Sequence, residues 1–186
     1  MHIGPTDIPL IRTFYMTTRE FLAPLIAAYQ TALAGLPVPQ QAAVQCSIGI
    51  EASDTNERWQ FDANGAEVTV RVVPTGEVDF LFKTTKARLE QFIQADGITF
   101  LLRPIANGRV AGFRALRGTL RMLINEGDEY AIVFGGAAIP EAVMRMGHQD
   151  ALGLLAGTLN AQAAVFSGRI RIDSGMSFLM SLERFL

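Results

Sequence analysis

The chain has 186 residues, 49% of them hydrophobic and 18% charged, with a formal net charge of −2. That length suits one domain with a sizeable core, and the negative sign, unchanged by 14 arginines against 2 lysines, excludes a nucleic-acid binder, which needs a basic surface to neutralise phosphates. A charged fraction below the roughly 25% of ordinary soluble chains leaves apolar surface for a cavity, a dimer face or a membrane-facing patch.

Thr17-Thr18-Arg19-Glu20 reads as a capping box, opening a helix that Gly35 and Pro37 stop, with Pro24 as a kink or restart. The run FLAPLIAAYQTALAGLPV is interrupted by Pro24, Tyr29, Gln30 and Thr31 and lacks a basic flank. It is therefore neither a membrane span, which needs ~20 apolar residues, nor a signal peptide, and the expectation is a soluble, cytoplasmic protein.

Period-two alternation follows in successive segments separated by turn residues. VQCSIGIE places Val44, Cys46, Ile48 and Ile50 inward, and RWQFD buries Trp59 and Phe61. Asn64-Gly65 supplies a tight hairpin turn. EVTVRVV buries Val68, Val70 and Val72; after Pro74-Thr75-Gly76, VDFLFK buries Val78, Phe80 and Phe82. These segments predict an antiparallel meander with one wet face. Cys46, the sole cysteine, reads as a structural thiol among core residues rather than as a nucleophile.

Helical spacing then links Leu89, Phe92 and Ile93 before Asp96-Gly97. Pro104 argues against a continuous helix through LLRPIANG, GRVAGFRALRG reads as a short helix closed by Gly118, and TLRMLI and EYAIVF read as strands around the turn NEGD. From Pro140 to Phe166 the chain reads as broken helix, with Asp150 and Asn160 as caps. A strand RIRI, a turn at Asp173-Ser174-Gly175 and a last helix from Met176 to Leu186 complete an α+β layer arrangement. Segments 107–127 and 160–175 echo one another, each running from Asn through a short apolar helix and a glycine into an arginine-containing strand.

No nucleophile elbow, phosphate loop or dinucleotide fingerprint is present. His2 and His148 are the only histidines and lack partners at metal-ligand spacing. Carboxylates at Glu51, Asp54 and Glu57, and at Glu126, Asp128 and Glu129, read as solvated turn residues. Arg103, Arg109, Arg114, Arg117 and Arg121 form a basic segment, either a solvated face or a contact for phosphate or an anionic membrane. No catalytic residue, metal or cofactor is expected.

The segment DALGLLAGTLNAQAAVFSGRIRIDSGMSFLMSL resembles the C-terminal signature of the sterol carrier protein type 2 family. A helix leads through Leu159-Asn160 to a short helix ending Phe166-Ser167-Gly168; a basic-apolar strand, a glycine turn and an apolar helix follow. The strands at 44–83 are similar to that family's first four. The resemblance implies an α+β fold with an antiparallel or mixed sheet of five to seven strands, helices covering one face and a hydrophobic tunnel between the layers. It further implies an N-terminal extension and helix over 1–41, a lipid-binding domain over 42–186 and, departing from the family, an insertion around 98–140. The implied function is non-enzymatic binding or transfer of a fatty acid, fatty acyl-CoA, sterol or other lipid. Phe92, Leu152, Leu155, Phe166, Ile170, Ile172, Met176, Leu179, Met180 and Leu182 would line the tunnel, because flexible apolar side chains repack around ligands of different length. Transient membrane contact and homodimerisation are the further partnerships considered. Two other readings stand beside this one: an interaction or homodimerisation module with a filled cavity, and an enzyme acting on a lipid-like substrate.

Overall fold

Leu25, Tyr29 and Leu33 recur every fourth residue and are buried, giving helix α1 (Thr18–Ala34) its inner stripe. In the computed structural model, which describes residues 18–183 apart from 96 and 126, α1 includes Pro24 without a break. The Thr17–Glu20 capping box lies outside the described side chains. Tyr29 packs edge-on against Phe61 at 5.3 Å and donates its hydroxyl hydrogen to the Gly65 carbonyl, fixing α1 to a hairpin turn. A short helix α2 (Val38–Ala43) carries no buried residue and leads into the sheet.

Strands β1 (Gln45–Ala52), β2 (Glu57–Asn64), β3 (Glu67–Val72) and β4 (Phe80–Thr84) follow the predicted alternation, but they do not form a simple meander. β4 returns beside β1 and parallel to it, pairing Ile48 with Phe80 and Ile50 with Phe82. The reason lies in residues 73–79, which cross the outer face of the sheet: the Arg58 guanidinium donates to the Gly76 carbonyl, and Val78 packs over Gly49. β3 is thereby left as an edge, and Val72 is exposed rather than buried.

Helix α3 (Lys86–Gln94) is capped by Thr85, and Asp54 accepts from the Lys86 amide, so Asp54 has a structural partner. Helix α4 (Gly97–Ala106) runs through Pro104, against expectation, and seven of its ten residues are buried. Burying Ile98, Phe100, Leu101, Leu102 and Ile105 contributes on the order of 10 kcal/mol, an upper bound, against about 3 kcal/mol for a proline in a helix interior. Burial wins. Helix α5 (Val110–Ala115) then buries only Val110 and Phe113.

β5 (Gly118–Ile124) and β6 (Glu129–Phe134) form the second hairpin. β7 (Glu141–Met146) corrects the helical reading of the segment after Pro140: Ala142, Met144 and Met146 alternate inward while Glu141 and Arg145 face out. Helix-favouring residue types were overridden by a period-two burial pattern and by parallel pairing with β5. Helices α6 (His148–Ala156) and α7 (Ala161–Phe166), strand β8 (Ile170–Ser174) and helix α8 (Met176–Glu183) complete the chain. Asn160 caps α7 as expected. Asp150 does not cap α6, which starts after Gly147; its carboxylate pairs with Arg169 instead.

The result is α+β: an open, mixed eight-stranded sheet of order β3-β2-β1-β4-β6-β5-β7-β8, one strand more than expected because of β7. Aromatic and aliphatic side chains of the inner face pack under the helices. The outer face carries cross-strand ion pairs, among them Glu51 with Arg58 and Lys83, Arg121 with Glu129 and Glu141, and Asp173 with Arg145, while Arg171 of the same strand also reaches Asp173. Of the two echoed segments, β5 is interior to the sheet and β8 is its edge, so the echo is local and not topological. Among the described residues no helix is long and apolar enough to cross a membrane.

Candidate functional site

A recess opens between the two layers where β1 and β4 begin. Cys46, Ser47 and Ile48 of β1, with Asp79 and Phe80 at the start of β4, form its floor; Leu101, Pro104 and Ile105 of α4 and Val110 and Phe113 of α5 form its walls and roof. It holds about 240 Å³ of atom-free space, partly open to solvent, and its enclosed part admits about one water molecule. The lining is apolar except for Ser47 and Asp79.

These two polar residues meet for a reason that starts in the strand pairing. Parallel β1 and β4 leave Ser47 and Asp79 adjacent, so the Asp79 amide donates to the Ser47 carbonyl at 2.9 Å and the Ser47 amide to Asp79 Oδ2 at 2.9 Å. Asp79 Oδ1 accepts from Arg114 Nε at 3.2 Å, joining the strand to α5. Behind Ser47, its hydroxyl donates to Asp62 at 2.6 Å, and buried Gln60 donates to both Ser47 and Asp62. Burial, and then the Asp79 and Asp62 carboxylates against the opposing Arg114, push the Cys46 thiol up to about 12. A thiol held protonated is a poor nucleophile, in line with the structural role expected of Cys46.

None of the residues singled out from the sequence as tunnel wall lines this recess. Phe92 is fully buried, stacked on Phe82 at 4.4 Å and tilted against Tyr130 at 6.4 Å. Leu155 on α6, Ile170 on β8 and Leu182 on α8 are core residues, while Leu152, Ile172 and Leu179 are half-buried against the core. Phe166 is 91% exposed at the end of α7, and Met176 and Met180 lie on the outer side of α8. The set is thus divided among α3, α6, α7, β8 and α8. Sequence reasoning passed over Leu101, Ile105, Val110 and Phe113 because Pro104 and the surrounding glycines made 98–118 ambiguous; the i, i+3 spacing of Val110 and Phe113 was the available signal.

Several charged and titratable groups elsewhere have structural partners. His148 Nε2 lies 2.9 Å from the Tyr130 hydroxyl, and burial pushes that phenol up to about 12. The basic segment is not one surface: Arg103 lies over the Phe100 ring, Arg121 joins the outer-face ion pairs, and Arg109, Arg114 and Arg117 lie beside the recess. Among the described residues there is no cluster of three His, Cys, Asp or Glu able to hold a metal ion.

No family model matches the sequence, and no curated protein matches it. Solved structures that match include the stereoselective inverting sec-alkylsulfatase Pisa1 from Pseudomonas sp., at 12% identity over 85% of this chain with a TM-score of 0.27, and a double mutant of the same enzyme at 11% identity over 92% with a TM-score of 0.29. This chain spans only 15% and 16% of those chains.

Proposed function

We propose that the protein binds and carries a hydrophobic ligand without chemistry, as the resemblance to the sterol carrier protein type 2 family suggests. The observation that carries this reading is the apolar recess between sheet and helices, whose polar lining residues are Ser47 and Asp79, the latter bound to Arg114. An alkyl chain would enter under α5, a six-residue helix whose buried side chains are Val110 and Phe113, and the driving force would be about 0.8 kcal/mol per methylene removed from water. The ligand class is a fatty acid, fatty acyl-CoA, sterol or similar lipid, and the carrier acts in the cytoplasm.

Titration with a fluorescent fatty acid, combined with native mass spectrometry of protein purified from cells, tests this. Binding should saturate and should weaken in Val110→Trp, where the indole fills the recess, provided the variant keeps its circular dichroism spectrum. Protein that emerges ligand-free and leaves the probe unchanged sinks the proposal. A second reading, an interaction or homodimerisation module with a filled cavity, is favoured by the small enclosed part of the recess. Light scattering that finds a dimer, with no lipid bound, would select it.

A further inference from the structure

We infer that the edge strand β3 is a pairing surface for a second copy of this chain, the two β3 strands running antiparallel across a two-fold axis at Thr69. The inference stands on the sheet edge and does not need the recess to hold a ligand.

The strand pairing decides which backbone groups are free. β3 pairs with β2 from Glu67 opposite Asn64 to Val72 opposite Trp59, and the Val73 amide donates to the Arg58 carbonyl at 3.0 Å. Bonded and non-bonded pairs alternate along an antiparallel ladder, so Glu67, Thr69 and Arg71 turn their N–H and C=O towards β2. Val68, Val70 and Val72 turn theirs away from the sheet, and among the described residues no strand lies on that side. Edge strands are ordinarily blunted by a proline, a bulge or a covering segment. β3 has neither proline nor bulge, and valine at every second position favours further pairing. The other edge differs: the register of β8 on β7 shifts between Val143 and Met144, and Arg171 of β8 pairs with Asp173 of the same strand.

Charge identifies the occupant and the register. Pairing must set the outward-facing valines against one another to use their free groups. With Thr69 on the axis, Val68 of each copy faces Val70 of the other, about four main-chain hydrogen bonds form, and Glu67 faces Arg71 on both sides of the axis. An axis at Val70 leaves both charges without an opposite, and one at Arg71 sets arginine against arginine. Both side chains can respond. Glu67 is exposed and has no ion pair among the described residues, while Arg71, 56% exposed, meets Asp62 through one amino group and keeps other donors. The same register brings Val72 of the second copy, 62% exposed, opposite Ala66 in the turn on which α2 rests, where a Cβ on Gly65 would lie 3.8 Å from the Ala42 Cα. Residues 21–50, covering most of α1 and all of α2, hold no charged side chain, so two-fold related copies bring no like charges together in that layer.

Sedimentation equilibrium of the full chain from about 1 µM to about 1 mM tests this. A monomer–dimer equilibrium should appear, and the amides of Val68 and Val70 should exchange hydrogen more slowly as concentration rises. Glu67→Arg and Arg71→Glu should each weaken self-association about tenfold, because each sets like charges opposite one another on both sides of the axis. An equimolar mixture of the two variants should recover it, since each supplies the charge the other lacks. Arg171→Gln on the other edge should leave it unchanged. All these positions are exposed, and circular dichroism confirms folding. A monomer across the range overturns the inference, as do variants that associate normally, a mixture that does not recover, loss in Arg171→Gln, or open-ended assembly, which selects β3 against β8. Protection of the two amides that does not change with concentration also overturns it, since a segment of the same chain then covers the edge. A dimer that passes these tests yet leaves the fluorescent fatty acid unbound keeps this inference and loses the carrier reading.

Discussion

On the helix side of β1, β2 and β4, Ile48, Phe61 and Phe80 stand in one row; in β5, β6 and β7 the matching row is Leu120, Ile132 and Ala142. One row further in, Ile50, Trp59 and Phe82 correspond to Met122, Tyr130 and Met144, and at the strand starts Cys46 beside Ala63 corresponds to Gly118 beside Phe134. Each half thus sets beside a hairpin a strand that returns parallel to the hairpin's first, after the additional edge strand β3 in the first half, and is followed by helices. The roofs differ. The first half has the larger residues, Cys46 and Phe80, under α5 and keeps a recess; the second has Gly118 and Ala142, and Phe178 of α8 fills the space, its ring 2.8 Å from where a Cβ on Gly118 would lie. Equivalent strands therefore do not dictate a cavity. What decides it is the volume brought down by the covering helix.

Removing the plug is the strongest way to break this comparison. Phe178 also packs edge-on against Phe134 at 6.0 Å, so Phe178→Ala should cost about 3–5 kcal/mol in chemical denaturation. A loss below about 1 kcal/mol would mean that α8 is no plug and that the halves are not comparable. Phe113→Ala in the first half should cost less, about 2–3 kcal/mol, because a six-residue helix can settle into the space. Its binding of a fluorescent fatty acid should tighten as stability falls, a pairing of effects that calorimetry and titration together would read. The two six-residue helices differ again at their starts: Asn160 caps α7, accepting from the Ala163 amide at 2.9 Å, whereas Arg109 makes no side-chain cap for α5. Asn160→Ala should cost about 1 kcal/mol.

The first half was largely legible in the sequence, because period-two alternation and Asn64-Gly65 mark β1, β2 and their neighbour without reference to anything distant. Its parallel return was not, since the path of residues 73–79 depends on Arg58 and Gly49 across the sheet. β7 was misread because Glu, Ala and Met are good helix formers, and only pairing with β5 and β8 makes EAVMRM a strand. The recess was illegible for a related reason: its roof is α4 and α5, where Pro104 and Gly108 hide helices that exist because their apolar side chains are buried. The helix α8, which the sequence marked as tunnel wall, is instead placed over the second half.

Cys46 and Gly118 occupy the matched lead positions, and only the first can titrate, which gives the smallest but most selective test. With burial, then Asp79, pushing the thiol from 9.0 to about 12, its thiolate fraction near neutral pH falls by about three orders of magnitude, and alkylation by iodoacetamide should slow accordingly. Asp79→Asn should recover part of that rate, not all, since burial is the larger cause. The same shift links to stability. An unfolded thiol ionises from about pH 9 while the folded one keeps its proton to about 12, so its contribution is complete below pH 9 and is lost as pH rises through 12. Tyr29 and Tyr130, also raised to about 12, lose stability in the same direction in every variant. Cys46→Ala should therefore gain on the native chain as pH climbs from 9 towards 12 in denaturant titrations, and parallel curves for the two would show that the thiol is no more protected than a free one.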